Sequence, residues 1–194
     1  LSFWQLTKFH RRGSLRHLDW AAVFAGLAIG TKYTAAWLCW PFAVAIIAAA
    51  RRHRRAEPLL WAAMAAIAAV GLTVAVFAAT SPYFFLRPEK AWDHFTWEML
   101  LLSEDPPVEP GLSGHAFYLS VSLGYGLGWP VLIAALAGGV WMGLRRDGRA
   151  LLLWSLPVLY FLFIGRSHRV FIRYMDPVLP FLATAVEATS RVLG

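Results

Sequence analysis

The sequence predicts an all-α, polytopic bundle of transmembrane helices, and three observations carry that expectation. Hydrophobic residues make up 59% of the chain and charged residues only 15%. Globular domains carry about 25% charge and about 45–50% apolar residues, so this chain has too few polar side chains to cover a water-facing surface. Four windows, residues 33–50, 58–86, 110–144 and 150–165, hold no Asp, Glu, Lys or Arg. A spanning helix needs about 20 mostly apolar residues. Finally, the basic residues sit at the ends of these windows rather than along one face. The net charge of +7 therefore points to membrane topology and away from nucleic acid.

The first element is short. Residues 1–7 read as the tail of a helix, and the chain begins with Leu1 rather than Met. The expectation is a chain incomplete at its N-terminus, with residues 1–194 forming one transmembrane fragment. Three basic clusters follow: Lys8, Arg11, Arg12 and Arg16; Arg51, Arg52, Arg54 and Arg55; and Arg145, Arg146 and Arg149. The positive-inside bias places all three in the cytoplasm. Between the second and third, Glu89, Asp93, Glu98, Glu104 and Asp105 face only Arg87 and Lys90, which marks residues 81–114 as an external segment. Residues 58–80 then cross outward, a helix over 117–144 returns, 150–164 crosses outward again and 174–193 runs back, with Asp176 at its start and Glu187 within it.

The stretch 19–50 is constrained differently, because both of its flanks are basic and an even number of crossings is required. If the chain turns near Gly30 to Lys32, residues 20–31 rise only about 18 Å as a helix against a core of about 30 Å. A short arm of that kind suits a cavity wall, since irregular backbone at membrane depth survives only where protein or water satisfies it. The rival is a single long tilted helix, which places the first basic cluster outside. The Ala-rich run over 62–79 has no fixed period and reads as helix-packing surface, because small residues let helices approach closely.

Four groups of residues could carry chemistry. Lys32, between Thr31 and Tyr33 in an apolar stretch, is either a snorkelling or paired lysine or a ligand for an anion. Arg166, His168, Arg169 and Arg173 lie in a connection that the topology places outside. Either the topology is inverted there, or these cations face a fixed anionic partner such as a phosphate, whose oxygens match a guanidinium fork. Asp93, His94, Glu98, Glu104 and Asp105 lack any metal or catalytic spacing such as HExxH and read as a solvated loop. Tyr83, Phe84, Phe85, Trp92, Phe95 and Trp97 suit an interfacial aromatic belt, or alternatively a sugar or lipid platform. The single cysteine, Cys39, excludes an internal disulfide and any CxxC metal site.

Three strings, GLAIGTKYT over 26–34, SPY over 81–83 and RYMDPVLP over 173–180, occur in an order that resembles the lipid-linked-sugar glycosyltransferases of the GT-C class. The resemblance is to the branch of protein mannosyltransferases and aminoarabinose transferases. It implies a multi-pass protein of the plasma (inner) membrane that moves a sugar from a polyprenyl-phosphate carrier to a lipid, glycan or protein acceptor at the external face. It calls for no cofactor or metal. In that family the catalytic base is usually an Asp in the first external loop, which would lie upstream of Leu1, so no catalytic residue is assigned here. Lys32 and Arg173 match the family's positions for holding the carrier phosphate, whereas Arg166, His168 and Arg169 extend the site by topology. Met175 and Asp176 replace residues that are more often apolar in the family. A transporter or flippase for a lipid-linked or anionic substrate is the alternative, since it too uses intramembrane cations and broken helices. A noncatalytic membrane subunit is the third reading.

Overall fold

The computed structural model describes residues 1–52, 57–104, 113–145, 148–167 and 171–193. Among these, every regular element is helical, in agreement with the all-α expectation. Two helices, Tyr33–Arg52 and Pro58–Thr80, are long and apolar enough to cross a membrane, and a third span is reached if the bent pair Gly114–Tyr125 and Trp129–Leu144 counts as one. The chain divides into two compact units, Leu1–Ala91 and Trp92–Gly194.

The first unit begins with α1, Ser2–Arg12, which extends past the helix tail expected at residues 1–7 and takes in Lys8, Arg11 and Arg12. Its buried residues, Ser2, Leu6, Phe9 and His10, recur at helical spacing and form one face. Gly13 ends it in the left-handed conformation (φ 67°), with its N–H on the Phe9 carbonyl at 2.7 Å. Helix α2, Leu15–Thr31, buries Leu18, Ala21, Ala22, Ala25 and Gly26, again one stripe, and the Ser2 hydroxyl donates to the Ala21 carbonyl at 2.8 Å.

Lys32 breaks the helix in an extended conformation (φ −155°, ψ 121°). Its N–H still bonds the Ala28 carbonyl, and its own carbonyl accepts from the Ala35 N–H, both at 2.9 Å, so the break strands neither group. A 3₁₀ segment, Tyr33–Leu38, leads into α3, Cys39–Arg52. Arg52 donates to the His10 carbonyl oxygen at 3.0 Å and to His10 Nε2 at 3.1 Å. The basic last turns of α1 and α3 therefore meet at one end of the unit. The chain leaves that end through α2 and returns to it through α3, so the reversal at Lys32 replaces the single tilted helix.

Helix α4, Pro58–Thr80, starts at the same end, where Trp61 stacks on Phe9 (6.4 Å between ring centroids), and runs beside α2. The approach is close because of glycine. A Cβ on Gly26 would sit 2.6 Å from the Thr73 carbonyl oxygen, and one on Gly30 would sit 2.9 Å from Thr80 Oγ1. This is the small-xxx-small contact typical of helices in lipid. The Ala-rich run does less packing than its composition suggests: only Ala65, Ala69 and Phe77 of α4 are buried, while Leu59, Met64, Ile67 and Val70 are exposed. A short helix, α5 (Pro82–Leu86), and then α6 (Pro88–Glu104) follow. The expected solvated loop is thus a helix, started by Pro88 and Glu89 as the dipole favours; Asp93, His94 and Glu98 on it are exposed, and Asp105 lies outside the described residues.

In the second unit the expected single helix over 117–144 is broken. Helix α7, Gly114–Phe117, passes into a π-helical segment, Tyr118–Tyr125, and α8, Trp129–Leu144, departs from that direction by 112°. The cause is the string Gly124, Gly126, Gly128, Trp129, Pro130. Gly128 takes φ 83°, Pro130 has no N–H to continue the ladder, and a Cβ on Gly124 would meet the Trp129 ring at 2.7 Å. Helix α9, Gly148–Ile164, packs the Trp154 ring against Gly139 of α8. The last helix starts later than residue 174. Pro177 and Pro180 hold Ile172–Val178 as a 3₁₀ segment containing Asp176, and α10, Leu179–Leu193, begins only then, packing Phe181, Leu182 and Ala185 into the core.

The α2–α4 contact makes a direct prediction. Gly26→Val should lower the thermal stability of the detergent-solubilised protein by about 1–3 kcal/mol, since the added carbons meet the Thr73 carbonyl and the base of the Val76 side chain rather than a flexible chain end. Gly71→Ala, on the same helix pair but with nothing within 4 Å of its Cβ, should be neutral or slightly stabilising. Equal loss in both variants would show that α2 and α4 do not meet at Gly26.

Candidate functional site

The sequence-derived cations fall in two places. In the first unit, Lys32 is exposed at the end opposite the basic clusters. The glycine contact brings the ends of α2 and α4 together there, so that Gly30 faces Thr80 and Ser81, and the Tyr33 ring lies 6.2 Å from Phe84. Strings distant in sequence, GTKYT and SPY, thus meet at one helix end. Phe77, Phe84 and Phe85 pack edge to face with centroids 5.2–5.6 Å apart, which fixes α5 against the end of α4. The aromatic run after Ser81 therefore has a packing role at this end.

In the second unit, Arg166 and Arg173 flank the connection between α9 and α10, and both are exposed. Arg166 follows the end of α9, with its N–H on the Phe163 carbonyl at 3.1 Å. Arg173 lies on the 3₁₀ segment with its guanidinium over the Phe171 ring, 5.1 Å from the centroid. A guanidinium stacked on a ring keeps its in-plane N–H fork for a bidentate oxyanion. His168 and Arg169 lie outside the described residues. Lys32 and Arg173 belong to different units.

The 3₁₀ segment is held from below. The buried Ser122 hydroxyl, on the π-helical segment, donates to the Ile172 carbonyl at 2.9 Å, one residue before Arg173. Met175 and Val178 are buried in the same segment, and Phe171 meets Tyr174 edge on at 5.3 Å. Beneath lie Tyr118 and Tyr160, both buried, within electrostatic reach of one another and of Tyr174; Tyr160 also senses Asp176. At the start of α7, Gly114 approaches the Gly165 and Ser167 carbonyls, and the His115 ring packs on Gly165 and edge on to Phe161 at 5.5 Å.

Tyr118, Tyr160 and His115 were missed by the sequence reading. The only local signal was their position inside charge-free apolar windows, where a phenol or imidazole needs a partner. Among the described residues, no group of three or more His, Cys, Asp or Glu side chains could hold a metal ion. No family model, curated protein or solved structure matches the chain.

Removing the bond below Arg173 should be measurable. Ser122→Ala should cost about 0.5–1.5 kcal/mol of stability, the worth of one intramolecular hydrogen bond. It should also speed amide exchange at residues 172–175 relative to α8, as read by hydrogen–deuterium exchange. Unchanged exchange there would mean that Ser122 does not hold the 3₁₀ segment.

Proposed function

We propose that the chain is the membrane-embedded part of a glycosyltransferase that moves a sugar from a polyprenyl-phosphate carrier to an acceptor at the external face of the inner membrane. The observation that carries this reading is the placement of the exposed cations Lys32 and Arg173 at helix breaks, away from the basic ends of their helices. A polytopic topology with the basic clusters inside puts both breaks on the outer side. Support for that topology comes from the apolar exposed surface of α4 and from the meeting of the basic last turns of α1 and α3 through His10 and Arg52.

The chemistry asks for such groups. When a sugar leaves a carrier phosphate, negative charge grows on the departing oxygens, and preorganised cations shielded from water stabilise it more in the transition state than in the ground state. Each cation suits a phosphate within its own unit: Arg173 offers an in-plane fork and Lys32 a point charge. The carboxylate that activates the acceptor is assigned to no residue of this chain.

The 112° break before Trp129 also favours a second reading, a transporter or flippase of a lipid-linked or anionic substrate. The two differ in product: a transferase leaves free carrier phosphate and a glycosylated acceptor, whereas a flippase leaves the donor intact in the other leaflet.

Two measurements test the proposal. Given a polyprenyl-phosphate sugar donor, the membrane-inserted protein should transfer sugar, and Arg173→Ala should lower turnover about a hundredfold, with partial retention in Arg173→Lys. Near-normal turnover in correctly inserted Arg173→Ala removes that residue from the site. Topology is checked with Cys39→Ser carrying Ser167→Cys. A membrane-impermeant maleimide added from outside should label that cysteine, and labelling only from the cytosolic side overturns the external site.

A further inference from the structure

The basic end of the first unit carries a feature that the proposed transfer does not use. Between the end of α1 and the start of α2 is a concave pocket of about 370 Å³ lined by Gln5, Arg12, Ser14, Arg16, His17 and Trp20. Two guanidinium groups, an imidazole and an indole thus face one space, and no carboxylate lines it. The pocket is built rather than incidental. Gly13 turns the chain between the helices, and His17 Nδ1 lies 2.9 Å from Gln5 Oε1, a hydrogen bond that ties α2 to α1 across the pocket.

We infer that this pocket binds a phosphate-type oxyanion, best supplied by the headgroup of an anionic phospholipid on the basic side of the membrane. Arg12 and Arg16 provide in-plane donor forks, and Ser14 and Gln5 add neutral polar groups at the rim. Trp20 is exposed beside them, as are Trp4 and Leu15 on the same two helices. Exposed indoles next to basic residues are the composition of a helix end lying at the lipid–water interface. Basic pockets at helix ends on this side are the places where phospholipid headgroups are held.

His17 reports the local field. Its pKa is lowered from the ordinary value, first by partial desolvation and then by Arg12, Lys8 and Arg16. Lys8 and Arg12 face it from α1 and Arg16 from its own helix, and no carboxylate is among the groups acting on it. An anion seated among these cations reverses their effect and favours the protonated ring. Binding of a phosphodiester, whose own charge is constant over this range, should tighten as pH falls from about 7.5 to about 5.5. In the free protein the sign is opposite. The lowered pKa means that the unfolded chain takes up the proton first, so stability is retained above the unfolded value of 6.5 and declines as pH falls below it.

The inference stands apart from the transferase reading, because its test measures binding and needs no sugar donor. Fluorescent phosphatidylglycerol is titrated onto the protein in neutral detergent and followed by anisotropy, and inorganic phosphate is titrated calorimetrically in a parallel arm. Two double variants remove equal charge from the same end: Arg12→Gln with Arg16→Gln inside the pocket, and Arg11→Gln with Arg51→Gln outside it. The pocket pair should weaken lipid binding about tenfold more than the outer pair, which separates a site from diffuse attraction. The same difference in the phosphate arm alone keeps the oxyanion site and assigns it to a soluble phosphate. Equal losses in both pairs, or no binding in either arm, overturn the inference. His17→Gln should abolish the tightening at low pH while the outer pair keeps it, and a pH-independent wild type removes His17 from the site.

Discussion

In a chain this apolar, every backbone N–H and C=O needs a partner within the chain, and the rest of the structure follows from that requirement. It makes each described regular element helical, and it decides how the helices can stop. Gly13 closes α1 on the Phe9 carbonyl, and Lys32 keeps both of its backbone groups bonded through an extended turn. Beside the bends the described residues also take π geometry, at Tyr118–Tyr125, and 3₁₀ geometry, at Ile172–Val178. These tightened or widened turns keep their backbone hydrogen bonds next to a bend, which is how a bent helix stays tolerable in a poorly hydrated environment.

Much of this was legible in the sequence, for identifiable reasons. The turn at Lys32 could be anticipated because Gly30 and Thr31 precede it and because basic residues on both flanks demanded a return. The all-α class followed from charge-free windows whose physical meaning is length. The break before Trp129 was equally present, as Gly124, Gly126, Gly128 and Pro130, yet it was read through because the window 110–144 was judged by its lack of charge and not by its breakers. The acidic segment was expected to be loop because its charges mark exposure, but exposure and helicity are independent, and α6 is both helical and exposed.

What the sequence could not reveal is which distant residues meet. The buried pair Tyr118 and Tyr160 joins segments separated by one helix, α8, and the bond from Ser122 to Ile172 spans two, α8 and α9. Such contacts depend on tertiary packing, which periodicity does not encode. The same is true of the α2–α4 pairing: the spacing of Gly26 and Gly30 says that something can come close, and only the three-dimensional arrangement says that it is Thr73, Val76 and Thr80.

The two sets of cations differ in what compensates them. At the basic end, Lys8 lies over the Trp4 ring at 3.3 Å and Arg52 is bonded to His10, so several charges already have internal partners. Lys32 and Arg166 each follow the C-terminal end of a helix, α2 and α9, where the negative end of the helix dipole favours a cation by about 0.3–1 kcal/mol. Removing a lysine or arginine from water costs more than that, at least about 2.5 kcal/mol at a bilayer centre, so the dipole alone does not compensate a desolvated cation. The remainder has to come from water or from an anion. Both side chains are exposed, so water supplies it in the free protein, and any ligand that excludes that water must itself carry the compensating negative charge.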